Sequence, residues 1–173
     1  MSPKHKTFPS LALRLLSILL LTTTLVCQVS CGDETESVDT SVCASGTRWI
    51  GGDDGSPHMH PGRDCIACHT REGEGPRFTI AGTFYGASGQ ADDCFGASGA
   101  VIEVTDAAGK IVSLVSNPAG NFYTKDAVQF PITARVTFNG KTRQMSTPVS
   151  TGACNSCHTV QGAQGAPGRI AFP

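Results

Sequence analysis

Nowhere in this chain do apolar residues run for the ~20 positions that a membrane-spanning helix requires. The longest run, LLSILLLTTTLV at 15–26, covers twelve residues and is interrupted by polar ones. It follows a segment that holds Lys4, Lys6 and Arg14 and no acid. That is the order of an export signal, so residues 1–30 are expected to be a removable signal peptide. Their loss leaves ten bases (13 less those three) against 14 acids, a net charge of −4. The basic footprint of a nucleic-acid binder is therefore missing, and no nucleic-acid partner is expected. Also missing is a nucleophile–base constellation, because serines and aspartates are scattered along the chain. Beyond the signal there is no long amphipathic helical pattern, and no βαβ pattern surrounds any cysteine pair. Methionine is scarce too, with only Met59 and Met145 downstream of the signal.

The signal ends in VCQVSCGD. Bacterial lipoprotein signals place a small residue before the cysteine that becomes lipidated, and Ser30 precedes Cys31. Val26 before Cys27 does not suit, and Gln28 stands where leucine is usual. Lipidation at Cys31 is the favoured expectation, with plain secretion as the alternative. One acyl-glycerol group would anchor the chain to a membrane without spanning it. The product would be exported, to the periplasm or outer surface. Residues 31–48 are polar and acidic and read as a solvated tether.

Cysteine, in contrast, is abundant: the chain has eight. Cys65, Cys68, Cys154 and Cys157 form two C-x-x-C pairs, CIACH and CNSCH, each followed at once by a histidine. Cys27 leaves with the signal and Cys31 is the lipidation candidate. The remaining Cys43 and Cys94 are expected to pair as a disulfide in an oxidising compartment. That bond would pin the end of the tether to the loop GQADDCFGASG.

C-x-x-C-H is the attachment motif of c-type haem. Two thiols add across the two vinyl groups of one porphyrin, and the adjacent histidine binds the iron axially. Cys65, Cys68, Cys154 and Cys157 are thus candidate attachment residues for two c-type haems, with His69 and His158 as proximal iron ligands. Both motifs continue alike, as CHTREGEGPRF and CHTVQGAQGAPGRI. The carbonyls of Pro76 and Pro167 are candidate acceptors for the second ring nitrogens of His69 and His158, or else these prolines only break a loop. Met59 and Met145, six and nine residues before Cys65 and Cys154, are candidate distal ligands. His58 and His60 are the alternatives at the first haem. A six-residue extended segment reaches ~20 Å, enough to pass around a porphyrin edge. A zinc ribbon built on two cysteine pairs would use the same four cysteines. It leaves both histidines unexplained, and its usual gap is ~15–20 residues. A thioredoxin-like dithiol wants the βαβ setting that is lacking.

Between the motifs the pattern is β. FTIAGTFYG is rich in β-branched and aromatic residues, and AVIEVTD (100–106) alternates. DAAGK turns into IVSLV (111–115), SNPAGN into FYT, and ITARVTF runs into NGK, a strong hairpin signal. These stretches, AGTFYG, GAVIEVTDAAGKIVSLVSNPAGNFY and ITARVTFNG, resemble the carboxypeptidase-regulatory-like (transthyretin-like) β-sandwich family over about seventy residues. The resemblance implies a non-catalytic module that packs against or presents other parts. The whole chain resembles a bacterial di-haem c-type cytochrome lipoprotein built around such an insert.

The expected fold is mainly β, a small β-sandwich flanked by Gly/Pro-rich haem-binding segments with short helical turns. Residues 49–77 would form the first haem-binding segment, 78–149 the sandwich and 150–173 the second segment. Only fifteen residues follow His158, too few to complete a common single-haem cytochrome fold. Trp49, Phe78, Phe95 and Phe172 are candidates for packing on porphyrin, with a place in a generic core the favoured reading for each. Electron transfer to redox partner proteins of the cell envelope is the expected function, with no enzymatic activity. The competing readings are a peroxidase-like or sensing haem protein with an open axial site, and a structural lipoprotein holding zinc.

Overall fold

The computed structural model describes residues 41–52, 55–73 and 75–173. The chain divides after Ser37, and every described residue belongs to the second unit, Val38–Pro173. The signal peptide, Cys31 and the first part of the tether lie outside the described residues. No helix of the described residues is long and apolar enough to cross a membrane.

The fold is mainly β. One sheet holds three strands in the order β4-β1-β7 and the other holds four in the order β3-β2-β5-β6. Strand β1 is Ile80–Tyr85, β2 Val101–Thr105, β3 Ile111–Val115 and β4 Asn121–Thr124. Strand β5 is Thr133–Phe138, β6 Lys141–Gln144 and β7 Ile170–Ala171. Helices α1 (Cys65–Glu72) and α2 (Cys154–Cys157) each begin on the first cysteine of a motif.

Local chemistry accounts for the strand connections. Alternation along β2 sends Ile102 and Val104 inward while Val101, Glu103 and Thr105 stay half exposed. At the β2–β3 turn the Asp106 carboxylate accepts from the amides of Ala108, Lys110 and Gln129 at 2.9–3.1 Å. Those bonds, led by that of Gln129, hold its carboxyl below the ordinary value. The β5–β6 hairpin turns on Asn139 and Gly140, both left-handed at φ 49° and 74°.

Ile80 and Phe84 of β1 meet Ile102, Val104, Phe122, Ile132 and Val136 in the core between the sheets. Every residue of β1 is buried, on both faces. Ile80 and Phe84 face the core; Ala81, Thr83 and Tyr85 alternate to the opposite face, which other segments of the chain cover.

Both flanking segments are joined to the sandwich. In 150–173, β7 pairs in parallel with β1, Phe84 opposite Ile170 and Tyr85 opposite Ala171. Phe172 lies in the core 6.2 Å from the Phe84 ring, the favoured place for it. The end of 31–48 is held as well. Cys43 is buried and bonded to Cys94 as expected, Cα–Cα 5.6 Å, and Val42 bridges Arg48. Ala44 N–H donates to Asp93 Oδ1 at 2.6 Å, so the body begins before Trp49 because the disulfide and its neighbours fold the tether's end onto it.

Phe84→Ala should lower the unfolding free energy by about 3–5 kcal/mol, since it empties a fully buried aromatic site. Ile111→Ala, on an exposed position of β3, should cost well under about 1 kcal/mol. Urea denaturation of the two variants checks the contrast.

Candidate functional site

Each motif is helical for a stated reason. Asp64 caps α1, its carboxylate accepting from Ala67 N–H at 3.0 Å, and Gly73 ends it in the left-handed conformation at φ 70°. Helix α2 is a single turn with no side-chain cap, closed by His158 N–H donating to the Cys154 carbonyl at 2.9 Å. The chain leading into α2 pairs alongside β1, Ala81 N–H donating to Gly152 O at 2.9 Å. Close approach is possible because β1 has a glycine there: a Cβ on Gly82 would lie 2.8 Å from Cys154 Cβ.

Both helices pack on β1, so motifs separated by 89 residues meet. Asn155, inside the second motif and buried, makes the link. Its amide donates to the carbonyl of Arg63, two residues before Cys65, at 2.8 Å and to Thr83 Oγ1 at 3.1 Å. Its carbonyl oxygen accepts from Thr83 N–H at 3.0 Å. Cys65 is near enough to Cys154 to influence its ionisation. Burial first, then Cys65 alongside, pushes the Cys154 thiol up to about 12. Burial likewise raises Cys65 to about 11.

At the second motif, His158 Nδ1 lies 2.8 Å from the Gly168 carbonyl. A carbonyl only accepts, so the proton sits on Nδ1 and the Nε2 lone pair is left for a metal. The acceptor is one residue beyond Pro167, the expected one. The loop from Gly162 to Gly168 returns the chain, and Gly168, itself buried, presents its carbonyl to the ring. Cys154, Cys157 and His158 line a cavity of about 390 Å³ that reaches between the sheets to Ile102, Val104 and Phe122. Its size falls within the ~300–1,000 Å³ usual for cofactor pockets. Met145 lines the same cavity, which places this candidate distal ligand in the second site. Arg143 and Arg169 also border it, and among the described residues neither is paired with a carboxylate.

The first motif differs. His69 Nδ1 is buried and has no hydrogen-bond partner among the described residues, so Pro76 does not accept from it. Helix α1 carries the chain a full turn past His69, whereas α2 stops just before His158. The His69 ring lies 5.0 Å from Phe78, which in turn stacks 4.7 Å from Tyr123. Phe78 is thus the one expected porphyrin-packing aromatic that sits beside a motif histidine. Trp49 instead faces His60 at 6.0 Å and donates its indole N–H to the His58 carbonyl at 2.9 Å. Phe95 is 61% exposed.

Among the candidate distal ligands of the first motif, His60 is buried against the disulfide. Its Nδ1 donates to the Pro61 carbonyl at 2.8 Å, so its Nε2 keeps a lone pair, enclosed 3.6 Å from Cys94 Sγ. Met59 and His58 are half-buried and held by backbone contacts: Asn121 Nδ2 donates to Met59 O, and His58 N–H to Ser56 Oγ at 3.0 Å. Among the described residues, metal-ligating atoms cluster at Cys43, His60 and Cys94 and at Asp92, Asp93 and Cys94, both sets sharing the disulfide. The four motif cysteines form no such cluster, so a zinc site of four cysteines is not preassembled.

These residues fit covalently attached haem. Each motif offers two free thiols and a histidine, the second histidine has its ring nitrogen fixed for metal ligation, and an apolar-floored cavity adjoins it. Sequence reasoning missed Asn155, Thr83 and the Gly168 carbonyl. A buried asparagine within CNSC carries no signal of its own, because its partners lie 72 and 92 residues away. No family model, curated protein or solved structure matches this chain.

Asn155→Ala should cost about 2–4 kcal/mol, because it strands the Thr83 amide and the Arg63 carbonyl in a buried setting; chemical denaturation reads this out. In the haem-free chain, Cys154 alkylation should rise only as the pH approaches about 12. In the unfolded chain it should rise near ~8.5. Mass-mapped labelling rates against pH test the difference.

Proposed function

We propose that this chain is an electron carrier of the cell envelope that holds two c-type haems. Cys65 and Cys68 attach the first, Cys154 and Cys157 the second, and His69 and His158 are the proximal ligands. The observation that carries the reading is the pairing of two C-x-x-C-H helices on one strand, with the His158 ring held by Gly168 so that Nε2 is free. When bound, the haems supply reversible one-electron chemistry.

The chain's own residues bind and orient. The Gly168 carbonyl fixes the tautomer and plane of His158 and strengthens it as a ligand. Ile102, Val104 and Phe122 form the floor of the adjoining cavity and keep water from it. Arg143 at its border suits a propionate carboxylate of an otherwise apolar ring. Met145 in that cavity is the distal ligand favoured for the second site. At the first, the burial of His60 against the disulfide favours Met59 and His58, with Met59 preferred. A sulfur ligand raises the reduction potential relative to a second histidine.

The sandwich, with its likeness to carboxypeptidase-regulatory-like modules, serves as the scaffold that brings the motifs together. Lipidation at Cys31 would tether the mature chain to a membrane. Its net acidity, deepened by propionates, suits a redox partner with a basic patch. A peroxidase-like or sensing role is the second reading, and the burial of His60 against the disulfide is what favours it. If Met59 and His58 also stay off the iron, the first site has an open position.

Intact mass and a pyridine haemochrome assay on the exported protein should give two covalent haems. Cys154→Ala/Cys157→Ala and Cys65→Ala/Cys68→Ala should each leave one. Met145→Ala should abolish the sulfur–iron charge-transfer band of the second site. Zinc without iron would overturn the proposal, and rapid carbon monoxide binding by one ferrous haem would turn it towards the sensing reading.

A further inference from the structure

The two motifs do more than lie side by side, because a closed set of buried hydrogen bonds runs between them through β1. Thr83 Oγ1 accepts from Gly62 N–H at 2.9 Å and from Asn155 Nδ2 at 3.1 Å, and donates to Asn121 Oδ1 at 2.8 Å. Asn121 Nδ2 then donates to the Met59 carbonyl, and Asn155 Nδ2 to the Arg63 carbonyl. Thr83, Asn121 and Asn155 are 0%, 5% and 6% exposed. The network therefore grips residues 59–63 at both ends and in the middle. That segment holds the distal-ligand candidate Met59 and runs directly into Cys65. One end of the grip is an interior residue of the other motif.

We propose that Thr83 and Asn155 are positioning residues for the first attachment site, so that the second motif helps to set the axial geometry of the first. The inference rests on the haem reading given above. Neither residue touches a ligand atom of the first motif. They act through the backbone of Met59, Gly62 and Arg63, whose placement decides whether the chain before Cys65 reaches the far side of the iron. Thr83 Oγ1 already accepts twice and donates once, so its hydroxyl capacity is fully used. Loss of this one hydroxyl leaves Gly62 N–H, an Asn155 N–H and Asn121 Oδ1 unpaired together. In a buried network such a deficit is relieved by movement of the least constrained member. Strands β1 and β4 are held by sheet pairing, so the member that moves is the irregular segment 59–63.

The test is redox titration of the full-length, haem-loaded protein, read together with its ferric absorption spectrum. Thr83→Val removes the hydroxyl at nearly constant shape, and Thr83→Ser restores it. The midpoint of the first haem is assigned from the Cys154→Ala/Cys157→Ala chain, which keeps that haem alone. Thr83→Val is expected to keep both haems, shift the first midpoint, weaken its sulfur–iron band and leave the second midpoint in place. Thr83→Ser is expected to recover the parent values. Should Thr83→Val fail to fold, Asn121→Ala removes the arm to Met59 together with the acceptor of the Thr83 hydroxyl, leaves the Gly62 and Asn155 bonds to Thr83 in place, and should weaken the same band. Loss of stability with both midpoints and the band unmoved overturns the inference, as does an equal movement of both midpoints. In either case the haem reading stands. A parent chain without covalent haem overturns both.

Discussion

Burial of β1 on both faces is the constraint from which the rest of the structure follows. A strand covered on one side only needs apolar residues on that side and solvated residues on the other. β1 supplies Ile80 and Phe84 to the core, while Thr83 and Tyr85 on the opposite face are also removed from water. Polar groups in that position must be paired, because an unsatisfied buried donor or acceptor costs more than a hydrogen bond returns. The partners come from far away in sequence. Asn155 and the Gly62 amide pair with Thr83, and Asp93 and Arg169 pair with Tyr85. Satisfying one strand thus recruits the segment before the first motif, the interior of the second, the 90–93 loop and the C-terminal stretch.

That recruitment explains why the two motifs are close and also why they differ. The second is drawn into the sandwich, with Cys154 against the core and its histidine fixed by Gly168. The first lies further out, on a helix whose residues are half-buried or exposed, and its histidine Nδ1, beside Phe78, has no hydrogen-bond partner among the described residues. On the haem reading, the two sites would differ in solvent access and in ligand rigidity, the features by which a protein separates two potentials. The disulfide Cys43–Cys94 works on the same face. Arg169 reaches the carbonyls of Gln90 and Ala91 beside it, and Arg63 reaches the Val42 carbonyl. The start and the end of the described unit are thereby tied to one loop.

Much of the sandwich was legible from local pattern. Alternation in AVIEVTD, the β-branched run in ITARVTF and the NG turn mark strands whose side chains meet the core at period two. β7 was not legible, since two residues have no period and its pairing with β1 exists only in the fold. The burial of His60 was not legible, because it depends on the disulfide at Cys94, 34 residues away. The folding of the tether's end onto the body was not legible for a related reason: burial there depends on which surface the segment meets. The expected acceptor for His158 was off by one residue because a carbonyl has no sequence identity.

By itself the sequence determined the chemistry on offer: two C-x-x-C-H units, two leftover cysteines that pair, and a β-rich stretch between the motifs. Those follow from covalent spacing and from hydrophobic period, which are properties of neighbours along the chain. Only the tertiary structure decided that both units share one strand, that Asn155 of the second reaches the carbonyl before the first, and that Met145 and His158 border one cavity. These are consequences of satisfying buried polar groups across long sequence distances. No local pattern encodes them.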